Sequence, residues 1–205
     1  MIILKEALFE LNGKQINKYR LSNNSGMSAG ILDLGCVIWK LNFPNRNGKL
    51  IDVVLGYGDP QKYFENPAYF GTVVGRSANR IDQGRFFWQG EQIQLEVNAS
   101  GYHLHGESDG FSYKIWECVE DQEKLIFKLT SPDGEGGYPG EITCYVSYDL
   151  TEDNELVINY KVTTPDLSIA NLTNHTYFNL NGDGSPTILN HFLKINSEKF
   201  NEVNS

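Results

Sequence analysis

The chain has 205 residues, with 17 basic and 26 acidic side chains and a formal net charge of −9. That length supports one domain with a core of its own, and the acidic balance disfavours nucleic acid or an anionic membrane surface as a partner. No run approaches the ~20 apolar residues of a membrane-spanning helix, and Met1-Ile2-Ile3-Leu4-Lys5-Glu6 turns charged too early for a secretory signal.

Turn signals recur along the chain, and strands are expected between them. Asn12-Gly13 and Asn47-Gly48 are favourable hairpin corners, because asparagine and glycine accept the positive φ that tight turns require. Residues 59–66 form the one helical candidate, a short helix or turn before Pro67. Phe86-Phe87-Trp88 and Ile93-Gln94-Leu95 flank Gln89-Gly90-Glu91-Gln92 as a further hairpin. Over 141–150, Ile142, Cys144, Val146, Tyr148 and Leu150 alternate with polar residues, and Leu156, Ile158, Tyr160 and Val162 repeat the pattern beyond a polar turn at 151–155. Such period-2 pairs predict a long antiparallel hairpin. Few segments hold a helical period for three turns, so the class is all-β, a large antiparallel β-sandwich.

Several polar segments carry possible chemistry. Cys36, Cys118 and Cys144 are odd in number and widely spaced, which fits neither a disulfide framework nor a zinc cluster and points to a reducing cytoplasm. His103 and His105 share one side of a predicted strand, a spacing that can hold a metal, but no partner motif supplies a third ligand. Gly71 and Gly75 permit close backbone approach, while Asn79 and Arg80 in 75–81 offer donors for hydroxyl groups; the alternative is a solvated arginine on an exposed turn. The glycine-rich run 131–140 lacks the Gly-Lys-Ser/Thr ending of a phosphate loop. Asn174-His175-Thr176-Tyr177-Phe178-Asn179-Leu180 reads as a strand with His175, Tyr177 and Asn179 on one face and Thr176, Phe178 and Leu180 on the other. It is either the wall of a polar pocket carrying a proton-transfer histidine or a sheet with a partly buried, hydrogen-bonded one.

Taken in order, these segments resemble the aldose 1-epimerase (galactose mutarotase) family over essentially the whole chain. The matching pieces are Val54-Leu55-Gly56-Tyr57 with Tyr69-Phe70-Gly71, Gly75-Arg76-Ser77-Ala78-Asn79-Arg80-Ile81 with Gly84, and Leu104-His105-Gly106 with Gly110-Phe111. They continue with Ser131-Pro132-Asp133-Gly134, Tyr138-Pro139-Gly140, and Asn171-Leu172-Thr173-Asn174-His175-Thr176-Tyr177-Phe178-Asn179-Leu180. The resemblance implies a β-sandwich of the galactose-mutarotase type and a cofactor-free interconversion of the α and β anomers of free aldoses such as galactose and glucose. One acid protonates the ring oxygen, one base takes the anomeric proton, and the two exchange roles on reclosure. It assigns His175 as the acid and Asn79, Arg80 and His105 as the residues holding sugar hydroxyls.

The chain departs from the family in two places. Where the family's histidine is commonly followed by two glycines, Glu107 holds the second position, either narrowing substrate choice or turning outward to water. The family's general-base glutamate and a sugar-binding aspartate lie in a C-terminal segment, whereas Asn201-Glu202-Val203-Asn204-Ser205 resembles the middle of a family sequence. The chain is therefore expected to be a single truncated domain, a fragment or the first part of a split protein, with sheet edges and apolar faces left open. Neither Glu107 nor Glu135 is assigned as a substitute base. Two other readings are a hexose-phosphate 1-epimerase, which calls for more basic residues than Arg76 and Arg80, and a non-catalytic sugar-binding or regulatory module on the same fold.

Overall fold

The structure, a computed structural model, describes residues 1–120 and 124–200; the run 201–205, read above as the middle of a family sequence, lies outside the described residues. Five strands, β1 (Ile2–Leu11), β2 (Lys14–Ser22), β3 (Ser28–Leu32), β4 (Ile38–Pro44) and β5 (Leu50–Asp52), form an antiparallel sheet in chain order. The corner between β1 and β2 is Asn12-Gly13, both with positive φ, as a two-residue hairpin requires. Asn47-Gly48 turns β4 into β5, with Gly48 N–H donating to the Asn45 carbonyl. The helical candidate is one 3-10 segment, Pro60–Phe64, whose first turn is capped by the Asp59 carboxylate accepting from Gln61 N–H.

Short ribbons follow: β6 (Val73–Val74), β7 (Arg80–Asp82), β8 (Arg85–Trp88), β9 (Glu91–Gln94) and β10 (Tyr102–Leu104). The β8–β9 turn is Gln89-Gly90 alone, with Glu91 and Gln92 already paired in β9. A second antiparallel sheet then runs in chain order through β11 (Glu117–Glu120), β12 (Leu125–Ser131), β13 (Ile142–Leu150) and β14 (Leu156–Thr163). The predicted alternation sets its inner face: Ile142, Cys144, Val146, Tyr148 and Leu150 are all buried. Register runs from Leu150 opposite Leu156 to Thr143 opposite Thr163, across the turn at 151–155.

The two sheets pack face to face as a sandwich. Tyr19, Leu21, Ala29, Ile31 and Leu41 meet Leu125, Phe127, Cys144, Val146 and Tyr148 in one apolar cluster. Tyr19 and Phe127 touch edge-to-face across the layers at 5.3 Å, an arrangement that adds ~0.5–1.5 kcal/mol to the area they bury. The Tyr148 hydroxyl, deep in this core, donates to the Cys36 carbonyl at 2.7 Å, and burial drives its pKa well up. No disulfide links the three cysteines.

The last strand, β15 (Thr173–Asn174), pairs with β6. From there the chain stays extended: His175 N–H donates to Thr72 O, and Tyr177 O and Val53 O accept from Leu55 and Asn179 N–H. One side of this segment, Asn174, Thr176, Phe178 and Leu180, lines an apolar groove of about 780 Å³ with Met27, Ile38, Leu41, Phe43, Ile51, Val53, Leu156 and Ile158. Phe178 and Leu180 are 53% and 63% exposed, because nothing among the described residues covers that face. No described helix is long and apolar enough to cross a membrane.

Candidate active site

Two short pairings converge on a cleft of about 490 Å³ on the other side of the 174–180 segment. β7 pairs with β10 so that Arg80 stands opposite Leu104, and β6 pairs with β15 just before His175. Gly71 and Gly75 make these approaches possible. A Cβ at Gly75 would lie 2.7 Å from the Phe111 ring, and one at Gly71, where φ is +67°, would lie 2.4 Å from the Ile38 carbonyl oxygen.

Asn79, Arg80, His105 and His175, separated by up to 96 positions (175 − 79), all line this cleft with Tyr69 and Tyr177. The His105 and His175 rings lie edge-to-face with centroids 5.2 Å apart. Asn79 and His105 grip each other through the backbone: Asn79 N–H donates to His105 Nδ1 at 3.0 Å, and His105 N–H to the Asn79 carbonyl at 3.3 Å. Asn79 adopts φ +66°, a conformation asparagine tolerates better than most residues. Arg80 is exposed, its guanidinium 5.0 Å over the Tyr102 ring.

Since His105 Nδ1 accepts from a backbone N–H, the neutral ring carries its proton on Nε2. Burial, assisted by the neighbouring His175, Arg80 and His103, lowers the His105 pKa to about 4. The imidazole is therefore a neutral donor across the physiological range.

His103 and His105 do not share one side of a strand. β10 ends at Leu104 and His105 takes φ +57°, so the strand alternation that would align the two rings stops between them. His103 is fully buried, with Nδ1 2.8 Å from the Glu96 carbonyl and Nε2 2.6 Å from the Tyr138 hydroxyl. A carbonyl can only accept, so Nδ1 bears the proton and Tyr138 donates to Nε2. Among the described residues no three His, Cys, Asp or Glu side chains lie close enough to hold a metal ion.

Other expectations resolve one residue at a time. Asn179 does not face the cleft: the chain turns there, and its side chain donates to Ser185 O and accepts from Asn181 N–H. Glu107 neither lines the cleft nor turns to water, since its carboxylate accepts from Leu104 N–H at 2.7 Å and Asn98 Nδ2 at 3.1 Å. Glu135 is fixed by Ser131 Oγ at 2.5 Å and Lys114 Nζ at 2.8 Å. The two arginines separate completely. Arg76 is 2% exposed and binds the 131–140 loop, leaving Arg80 to the cleft.

Sequence reasoning missed Tyr69 as a site residue. Its ring lies against His105 (4.8 Å between centroids), His175 (5.8 Å) and Tyr113 (6.3 Å). Tyr69 stood in the sequence only as an aromatic beside Gly71, and its left-handed corner (φ +56°) leaves no periodic trace.

A family model described as aldose 1-epimerase matches residues 17–205. The galactose mutarotase of Mus musculus is 42% identical over 188 residues, covering 92% of this chain and 54% of its own. The aldose 1-epimerase of Escherichia coli K12 is 34% identical over 190 residues, covering 92% and 55%. Two solved structures superpose with a TM-score of 0.76. One is an aldose epimerase homologue from C. elegans, 34% identical and covering 80% of this chain and 50% of its own. The other, a galactose 1-epimerase from Lactobacillus acidophilus, is 28% identical with coverage of 87% and 53%. The chain thus spans about half the length of the curated relatives it matches. A matching family model over almost the whole chain, together with the shared sandwich, makes this chain a member of the aldose 1-epimerase family.

Proposed function

We propose that the cleft binds a free aldose in its ring form and promotes exchange between the α and β anomers. Asn79, Arg80 and His105 hold the hydroxyl groups, with the Nε2–H of the neutral His105 donating to a sugar oxygen. His175 delivers a proton to the ring oxygen, the C1–O bond breaks as the anomeric hydroxyl loses its proton, and the resulting aldehyde rotates about C1–C2. Attack of the former ring oxygen, now a free hydroxyl, on the opposite face of C1 re-forms the ring and returns both protons.

The observation that carries this reading is the meeting of the two imidazoles, 5.2 Å apart, beside Asn79 and Arg80 in one cleft. Among the described residues no carboxylate lines that cleft. The base therefore comes from solvent or from a carboxylate outside these residues, as the family resemblance implies.

A phosphorylated hexose fits less well, because Arg80 is the one arginine or lysine among the lining residues. A cytoplasmic setting is supported by three cysteines with no disulfide among them.

Calorimetric titration with galactose and with glucose tests the binding step. Saturable binding weakened about tenfold or more by Arg80→Ala, a charge-assisted contact of ~1.5–3 kcal/mol, is expected. Undiminished affinity in that variant would place the sugar elsewhere.

A further inference from the structure

We propose that Tyr69 is a positioning residue of this cleft, its ring wedging the His105 and His175 imidazoles into the spacing at which both reach one aldose. The inference rests on the aldose reading above, and its test is arranged to separate the two.

Tyr69 sits at φ +56°, a backbone conformation that is costly for a bulky side chain and persists only where the surroundings over-determine it. Those surroundings are visible. Asn66 is fully buried; its side chain donates to Phe70 O at 3.1 Å and accepts from Phe70 N–H at 2.9 Å. Its carbonyl accepts from Tyr69 N–H at 3.0 Å. The corner is thus built to hold one residue in a left-handed conformation, where asparagine or glycine would rest with less strain.

Packing does not account for a tyrosine there. Tyr69 belongs to neither apolar core cluster and is only partly buried. Its contacts are instead the site itself: the ring of His105 at 4.8 Å, the tilted ring of His175 at 5.8 Å, and the ring of Tyr113 at 6.3 Å. A strained residue whose ring touches both proposed reacting and binding groups is expected where geometry has been selected over stability. The ring also keeps water from His105, whose other charged or titratable neighbours are Arg80 on β7, His103 on β10 and His175 on the 174–180 segment.

Two substitutions test the wedge, Tyr69→Asn and Tyr69→Phe, each examined by thermal unfolding, NMR titration of the histidine rings and galactose affinity. Asparagine relieves the corner and removes the ring. The expected result is an unfolding midpoint equal to or above that of the unsubstituted chain, a His105 titration moved up from about 4 toward the ordinary histidine value, and galactose affinity lowered by ~10–100-fold. Phenylalanine keeps the ring and loses only the hydroxyl, so titration and affinity stay close to those of the unsubstituted chain. A lowered midpoint with an unmoved His105 titration in Tyr69→Asn would mean an ordinary packing role and would overturn the proposal. If the unsubstituted chain binds no galactose, the aldose reading fails, while the His105 titration still decides whether Tyr69 sets that ring's environment.

Discussion

Replacing Arg76 by methionine keeps most of the aliphatic volume and removes the guanidinium that ties the β6–β7 turn to the 131–140 loop. One guanidinium nitrogen donates to Gly140 O at 2.7 Å, and the other to Ser131 O at 2.8 Å and Ser131 Oγ at 2.7 Å. Burial lowers the Arg76 pKa, opposed by the nearby Glu135. Charge-assisted bonds contribute ~1.5–3 kcal/mol each, and removing one partner of a buried charged network costs ~3–5 kcal/mol because the others stay behind unpaired. With an unfolding slope of about 2 kcal/mol per molar urea, the midpoint should fall by ~1.5–2.5 M. The buried Trp116 offers a fluorescence signal for the titration. Arg80→Met, an exposed change four residues away, should move the midpoint by less than ~0.3 M. Equal shifts in the two variants, or an Arg76→Met midpoint within ~0.3 M of the unsubstituted chain, would refute the reasoning.

Acidification should destabilise the chain through His105. The unfolded ring takes up a proton near its ordinary 6.5, whereas the folded ring resists until about 4. Its contribution is therefore intact above 6.5 and is lost as pH falls from 6.5 toward 4, by ~1–2 kcal/mol after allowance for solvent screening. Urea midpoints at pH 7 and pH 5 should differ less in His105→Gln than in the unsubstituted chain; an unchanged difference would contradict this linkage. The apolar groove lined by Phe178, Leu180, Ile158 and Ile51 should bind a hydrophobic dye and favour concentration-dependent association. Phe178→Ser with Leu180→Ser should weaken both, and a monomer at all concentrations with no dye signal would count against an open groove.

Where local periodicity decided structure, it could be read directly. The β13–β14 hairpin follows from alternation alone, and Asn12-Gly13 from the φ values its residues accept. The cleft was legible residue by residue through the family resemblance, and Asn79, Arg80, His105 and His175 do meet. What stayed hidden depends on where strands stop. His103 and His105 part because β10 ends between them, and Asn179 leaves the His175 face because the chain turns there. Arg76 and Arg80 read alike as residues, yet only the three-dimensional course of the 131–140 loop buries one and leaves the other exposed. Glu107 could be noticed as a departure from glycine, but its capping of Leu104 N–H requires a positive φ that no pattern announces.

The central claim is that His175 supplies a proton to a sugar bound in this cleft, and polarimetry tests it most directly. The optical rotation of freshly dissolved α-D-galactose is followed with the chain and with His175→Ala. A positioned general acid contributes ~10²–10⁴-fold even when solvent accepts the anomeric proton, so decay faster than buffer alone is predicted, abolished in His175→Ala. Decay at the buffer rate despite measured galactose binding, or acceleration undiminished by His175→Ala, would contradict the account.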